Sequence, residues 1–457
     1  MTADDGGRLS SLAKYVPGFL TASDDRPRWL DDLRLILLAT AVVYLTFILL
    51  GLIGGLSING ITRELQAVTL LSASIALVVL ALNLHWGYTG LFNIGIAGFM
   101  AVGAYTTAMV TASPDARIPG LGLSLWIGIP AGMIAAALVG FIVALPALRL
   151  RADYFAIVTL AAAEVIRRLY NSSSLDQFEL FGIALGTGSG RGIRDFPNIR
   201  NTVSRHILYA DPGGPSDPYP WGQLLFTIGE EFDLIAFVIE RIVYTLFIIV
   251  LVILVFVLLT RTANSPFGRI LKAIREDELA TKSLGKNTNR VKIKAFMLGC
   301  AIMGLAGIVW QGSRGNVTPD LFMPIITFYI FIALIIGGSG SNAGGVVGAV
   351  LFAGLLFDGP PMVERAVNNL VDLPRTNTMN DALIGLANLD PEVFFGYVMV
   401  QMSSLRFMLF GIVLILLMIY RPDGVLGHRN EPAAAIDLRK QQAPDHEETN
   451  EVDETDE

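Results

Sequence analysis

The stretch from Arg261 to Lys294, RTANSPFGRILKAIREDELATKSLGKNTNRVKIK, separates two long apolar runs and carries nine Lys or Arg against three acidic residues. In a membrane protein, a loop of this length with such an excess marks the cytoplasmic side, because Lys and Arg resist translocation. Within it Ser265-Pro266 can open a helix, Gly268 follows, and Ile270, Leu271, Ile274 and Leu279 recur at helical spacing with charges between them. The pattern predicts one amphipathic helix ending near Gly285, since a residue free to take positive φ suits a helix C-terminus. A soluble helix tethered to two membrane spans is placed to carry force between a cytosolic partner and the bilayer.

Outside that loop the chain is strongly apolar: 53% of its 457 residues are hydrophobic, 16% are charged, and mean hydropathy is +0.58. A span needs roughly 20 apolar residues. Ten segments qualify, at about 33–56, 65–85, 91–112, 124–148, 153–170, 236–260, 292–312, 322–338, 342–358 and 404–420. The expected fold is therefore all-α, a polytopic transmembrane helical bundle of about ten spans with an amphipathic cytoplasmic helix. It divides into a cytoplasmic segment 1–32, a membrane domain 33–427 that includes the basic loop 261–291, and an acidic tail 428–457. The tail lacks aromatic residues and reads as disordered. The N-terminal region is polar and acidic, so no secretory signal peptide is expected.

Ten crossings place both termini, the 149–152 loop and the basic loop on one side. Arg149, Arg151, Arg421 and Arg429 lie on that side as well, which satisfies the positive-inside rule. Arg167 and Arg168 end the fifth candidate on the opposite side, so that segment is either re-entrant or holds the pair at the interface near Glu164. Two long outer loops, 171–229 and 358–405, contain turn-forming runs such as Asp211-Pro212-Gly213-Gly214 and Asp358-Gly359-Pro360-Pro361. They read chiefly as tolerated insertions, since loop length costs little. Gly337-Gly338-Ser339-Gly340-Ser341-Asn342 reads as a tight turn between two spans. Glycines at 95, 98 and 103, and at 340, 344 and 348, read as sites of close helix packing. Arg outnumbers Lys and both tails are acidic, a balance that suits a salt-rich cytoplasm and a halophilic source.

Several chemistries lack their residues. The single cysteine, Cys300, lies in an apolar segment, and His85, His206, His428 and His446 show no paired spacing, so no metal site is expected. Gly285-Lys286-Asn287 lacks the rest of a phosphate-binding loop, so the chain is not expected to bind ATP. Most spans have no ionisable residue at mid-depth, which argues against a proton-driven carrier. No catalytic residue, cofactor or nucleic-acid partner is expected.

In ordered blocks from about 80 to 427 the chain resembles the LivM-type membrane permeases of branched-chain amino acid ABC importers. The blocks are Leu82-Asn83-Leu84-His85-Trp86-Gly87-Tyr88-Thr89-Gly90, then Arg149 to Leu160 (RLRADYFAIVTL), then Ser265-Pro266-Phe267-Gly268-Arg269 with Ala273-Ile274-Arg275-Glu276-Asp277-Glu278. Gly304-Leu305-Ala306-Gly307, the glycine run 337–348 and Arg421-Pro422-Asp423-Gly424 continue the pattern. Ala152 stands where the family usually has glycine, and both outer loops look longer than is typical.

The resemblance implies a permease subunit that carries branched-chain or related hydrophobic amino acids into the cell across a prokaryotic plasma membrane. Its implied partners are a second, LivH-type permease, two ATP-binding subunits that use the ATP and Mg, and an extracytoplasmic binding protein. It makes the basic loop the coupling element, with Ser265, Gly268, Arg269, Ala273, Arg275, Glu276, Asp277, Glu278, Ala280 and Gly285 as the residues that match the family motif. For the translocation path, Tyr88, Thr89, Asn93 and Thr159 are candidates, against ordinary interhelical hydrogen bonding. A permease for urea or short amides and an ATP-independent carrier are the alternatives.

Overall fold

The computed structural model describes residues 28–150, 152–180, 182–210, 217–371, 373–374, 376, 378–421 and 424–426. The acidic tail, most of the N-terminal segment, the 211–214 turn, Arg151 and Arg429 lie outside the described residues.

The chain is a helical membrane bundle, and helices occupy all ten predicted positions. The first half runs α1 (Arg28–Ile53), α2 (Ile58–Leu82), a π turn (Asn83–Tyr88), α3 (Ile96–Thr111), α4 (Leu125–Ala147) and α5 (Ala152–Asn171). A cap follows, with the strands β1 (Phe178–Leu180) and β2 (Ile183–Leu185) paired antiparallel, then α6 (Ile199–Leu208) and α7 (Pro220–Glu231). Next come α8 (Ala236–Asn264), the two loop helices α9 (Pro266–Glu276) and α10 (Glu278–Ser283), and α11 (Thr288–Gln311). The chain then forms α12 (Ile325–Gly337), α13 (Asn342–Leu351), a second π turn (Phe352–Asp358), α14 (Gly359–Leu370), α15 (Met379–Ala387), α16 (Pro391–Val400) and α17 (Met402–Tyr420).

Seven helical stretches among the described residues are long and apolar enough to cross a membrane, or eight if α16 and α17, bent by 83°, count as one. The count of ten is therefore not reached by length and composition. The third candidate shortens to the 16 residues of α3 because Gly90 to Gly95 is unwound. The fifth, α5, is amphipathic: Glu164 grips Arg167 and Arg168, each at 2.8 Å, and Arg167 reaches Asp320 at 3.7 Å. Those charges are mutually compensated, so their position at the end of a candidate span needs no buried free charge.

The helix α2 sits at the centre, packed by α8, α11 and α13, and its residues Ile75 to Leu82 are buried. Peripheral helices turn apolar side chains outward, including Leu37, Ile142 and Leu254. A bilayer suits such a surface, whereas water would penalise it. Close packing runs through α3, α4 and α11: a Cβ at Gly103 would lie 2.4 Å from the Gly304 carbonyl oxygen.

Two loop readings change. Region 171–229 is a folded cap rather than a slack insertion: Ile199, Val203 and Leu208 are buried, and Ile193 exchanges backbone hydrogen bonds with Val317. Asp358-Gly359-Pro360-Pro361 is no turn. It lies where the second π turn passes into α14 without leaving helical conformation. The stretch 342–370 is thus continuously helical. Gly337 to Asn342, by contrast, is the tight turn expected, with Gly338 and Gly340 at φ 101° and 87°.

Candidate functional site

The basic loop folds as two helices, not one. Ser265 caps α9 by accepting from the Gly268 amide at 3.3 Å, with Pro266 at the first helical position. The chain then extends at Asp277 (φ −153°, ψ 107°), whose carboxylate accepts from the Ala280 amide at 3.0 Å and starts α10. Asp277 is an N-cap, and the break it makes turns α10 away from the face set by α9. Leu271 and Ile274 are buried as the periodicity requires. Leu279 and Leu284 are 74% and 78% exposed. Gly285 adopts φ 75° at the end of α10, as read from the sequence. Arg269, Ala273, Glu276 and Ala280 face outward, while Gly268 is buried under α8.

Glu278 holds the loop closed. It accepts from Thr288 Oγ1 at 2.9 Å and from Lys292 at 2.5 Å, and it pairs with Lys282 at 3.0 Å. Burial alone would raise its carboxyl, but the hydrogen bonds from Lys292, Lys282 and Thr288 outweigh that and hold it down at about 2. Its folded value lies below the ordinary 4.5, so its stabilisation is complete above that value and is lost as pH falls through about 2. Near neutrality the loop is indifferent to pH through this group. Glu278→Gln should raise amide exchange across 278–292 by about fivefold at neutral pH, the scale of a partly exposed pair worth ~1 kcal/mol. Unchanged exchange would show that the ion pairs do not hold the loop.

The loop is seated on a broken helix. Arg275 Nη1 donates to the Gly87 carbonyl oxygen in the π turn, and its Nη2 pairs with Glu276 at 2.7 Å. Lys272 lies over the Tyr88 ring at 5.6 Å, within cation–π range. Gly90, at φ 74°, presents its backbone to Arg275, whose Cγ would lie 3.2 Å from a Cβ there. Behind this contact, Asn83 accepts from the Gly340 amide at 2.8 Å and donates to Asn342 Oδ1 at 2.9 Å. Asn342 in turn donates to Thr260 Oγ1 at 3.1 Å. One hydrogen-bonded chain therefore joins the π turn, the 338–341 turn and the end of α8, with α9 bolted to it through Arg275. Such π turns are frequent at functional sites because they interrupt the regular ladder.

Tyr88, Thr89, Asn93 and Thr159 do converge on this break. Asn93, in the unwound stretch, donates to His85 Nδ1 at 3.2 Å and accepts from the Gly95 amide at 2.9 Å. Thr159 accepts from the Ile94 amide at 3.1 Å, and Thr89 donates to the Leu84 carbonyl oxygen at 2.8 Å. These three are buried and bonded within the fold. Only Tyr88 of the four lines the large cavity. Sequence reasoning passed over His85, which bridges Asn93 to the Phe296 carbonyl at 3.1 Å and stacks on the Phe296 ring at 4.7 Å. With Asn93 donating to Nδ1, the proton sits on Nε2.

The cavity, of about 1230 Å³, lies between α1, α2, α8 and the start of α13. Asp31, Asn264 and Ser341 stand at the end nearest the basic loop, and Tyr44 and Thr69 at the far end.

The family described as branched-chain amino acid transport system / permease component matches residues 65–387. The chain is 32% identical over 273 residues to the high-affinity branched-chain amino acid transport system permease protein LivM of Escherichia coli strain K12, covering 60% of this chain and 58% of that protein. It is 24% identical over 380 residues to the probable branched-chain amino acid transport permease protein LivM of Methanocaldococcus jannaschii, covering 77% and 89%. To the permease protein LivH of Salmonella typhimurium it is 25% identical over 295 residues, covering 64% and 81%. The chain thus spans only 58% of the length of the enterobacterial LivM relative. No solved structure matches.

Proposed function

Because the chain belongs to the branched-chain amino acid transport permease family, we propose that it is a permease subunit of an ABC importer for branched-chain or related hydrophobic amino acids. The observation that carries the reading is the two-helix basic loop, exposed at Leu279 and Leu284 and anchored at Arg275 to the break in the membrane helix. In this reading the loop and both termini face the cytoplasm. A separate ATP-binding subunit covers the loop, a second permease of LivH type pairs with the membrane domain, and an extracytoplasmic binding protein delivers the solute. The 171–229 cap offers that protein a structured surface.

The geometry supports a mechanical role. Closure of the ATP-binding subunits displaces α10 together with the start of α11, since Glu278 ties the two, and α9 follows through the short Asp277 link. Arg275 transfers that displacement to the Gly87 carbonyl, hence to the π turn and the unwound 90–95 stretch. A break in a membrane helix moves at lower cost than its continuous neighbours, which have no such hinge. The chemistry of ATP belongs to the partner, and this chain supplies the lever and the wall of the pathway.

The direct test is uptake of labelled leucine into vesicles holding the chain with its neighbouring subunits, binding protein and ATP. We expect uptake that requires both ATP and the binding protein, with leucine displaced by isoleucine and valine and not by urea or short amides. Uptake that persists without ATP would overturn the importer reading.

A further inference from the structure

We infer that the cavity between α1, α2 and α8 is a vestibule open towards the coupling side, in which the polar end of the carried amino acid is held by a hydroxyl cluster of Ser72, Thr69 and Tyr44. The inference rests on the importer reading above and deepens it by naming a solute site inside this chain.

The first observation is Ser72. It lines the cavity, is only 7% exposed, and its hydroxyl makes no hydrogen bond among the described residues. A serine in a helix ordinarily satisfies itself on the carbonyl four residues back, as Thr69 does on Leu65 at 2.6 Å and Thr40 does on Ile36 at 2.8 Å. The Ser72 hydroxyl is not one of the buried, unpartnered atoms among the described residues, so it faces the open space of the cavity and takes its hydrogen-bond partner from there. The second observation is the pair one turn away, Tyr44 Oη and Thr69 Oγ1 at 2.6 Å, which joins α1 to α2 at the far end of the same cavity. Thr69 spends its proton on Leu65 and Tyr44 spends its own on Thr69, so Ser72 is the donor, and the remaining Tyr44 and Thr69 lone pairs are the acceptors, open to one small polar group.

The walls between that end and the mouth are aliphatic, with Ala73, Ala76, Val252 and Val346 among them. Ser72 lies ten residues before the end of α2 at Leu82, about 15 Å along the axis. That is about half of a ~30 Å hydrocarbon core, which places the cluster near mid-membrane. The occupant is therefore a small amphipathic molecule, with a polar end at the hydroxyl end of the cavity and an aliphatic portion against the walls. An aliphatic amino acid has that shape. A lipid tail would present hydrocarbon to the hydroxyls and its headgroup to the mouth, the reverse of this polarity. At about 1230 Å³ the space exceeds the ~300–1,000 Å³ of a closed ligand pocket, as a passage with a holding point should.

The test uses Ser72→Cys in the complete complex, with the native chain as blank, because its one cysteine, Cys300, is buried. A charged, membrane-impermeant methanethiosulfonate is applied to inside-out vesicles with and without leucine. We expect Ser72→Cys to label from the cytoplasmic face. Leucine at ten times its dissociation constant should slow the labelling about tenfold, as occupancy dictates. Failure to label, labelling that leucine does not slow, or labelling only by a lipid-soluble maleimide would overturn the vestibule. Native complex that takes up no leucine would instead sink the importer reading. Native uptake with an unprotected Ser72→Cys would remove the vestibule alone.

Discussion

On the importer reading, replacing both Leu279 and Leu284 with aspartate is expected to abolish ATP-driven uptake while the subunit still accumulates in the membrane. The two leucines are 74% and 78% exposed on and beside α10. They lie within the segment that carries nine Lys or Arg. Most of each side chain is exposed among the described residues, so their replacement leaves the described packing intact. Covering a leucine is worth ~1.5–3 kcal/mol, so losing two removes ~3–6 kcal/mol of docking free energy, on the order of a hundredfold to ten-thousandfold in affinity. The measurement is co-purification of the ATP-binding subunits alongside leucine uptake. Normal co-purification with normal uptake would mean that the exposed leucines do not face the partner.

Gly348→Leu is expected to lower the yield of folded protein more than tenfold, the scale of an overpacked core. The helices α12 and α13 are joined by only the 338–341 turn and lie so close that an ideal Cβ on Gly348 would sit 2.0 Å from the Ala333 carbonyl oxygen and 2.7 Å from the Gly337 amide nitrogen. From the other side, a Cβ on Gly337 would sit 1.9 Å from the Gly344 carbonyl oxygen. These neighbours are backbone atoms, so no rotamer change relieves the clash and the helices must part. The consequence spreads, because Asn342 at the start of α13 belongs to the hydrogen-bonded chain behind Arg275. Gly411, in α17 with nothing within 4 Å of an added Cβ, is the control, and Gly411→Ala should leave yield unchanged. Detergent-extracted yield and the midpoint of thermal unfolding check both variants. A native-like midpoint for Gly348→Leu would show that the helix pair yields more readily than backbone contact allows.

Part of the site was already readable in the chain. Ser265-Pro266 announced the start of α9 and Gly285 the end of α10, both through local backbone chemistry. The break at Asp277 had a local signal too, an aspartate suited to cap the next turn, but the apolar spacing from Ile270 to Leu279 ran across it and favoured one continuous helix. Helical spacing was also silent on Glu278, whose partners Thr288 and Lys292 lie on the next helix. Tyr88, Thr89, Asn93 and Thr159 were named from the sequence as candidates for the translocation path. Their division into one cavity-lining residue and three that brace the break required coordinates. Ser72 was invisible as a candidate, since a serine in an apolar helix is ordinary until its hydroxyl is seen without a partner beside open space.

The sequence by itself determined that this is a helical membrane protein, where its long apolar helices lie and which loop is basic, because hydropathy and charge act locally along the chain and need no knowledge of distant contacts. Tertiary structure alone decided which helices are buried, that Arg167 of α5 reaches Asp320, that Arg275 grips the broken helix, and that a cavity brings Tyr44, Thr69 and Ser72 together. Those features are pairings between residues far apart in the chain, and in an apolar helix the same side chain serves lipid, neighbour or solute according to what packs against it.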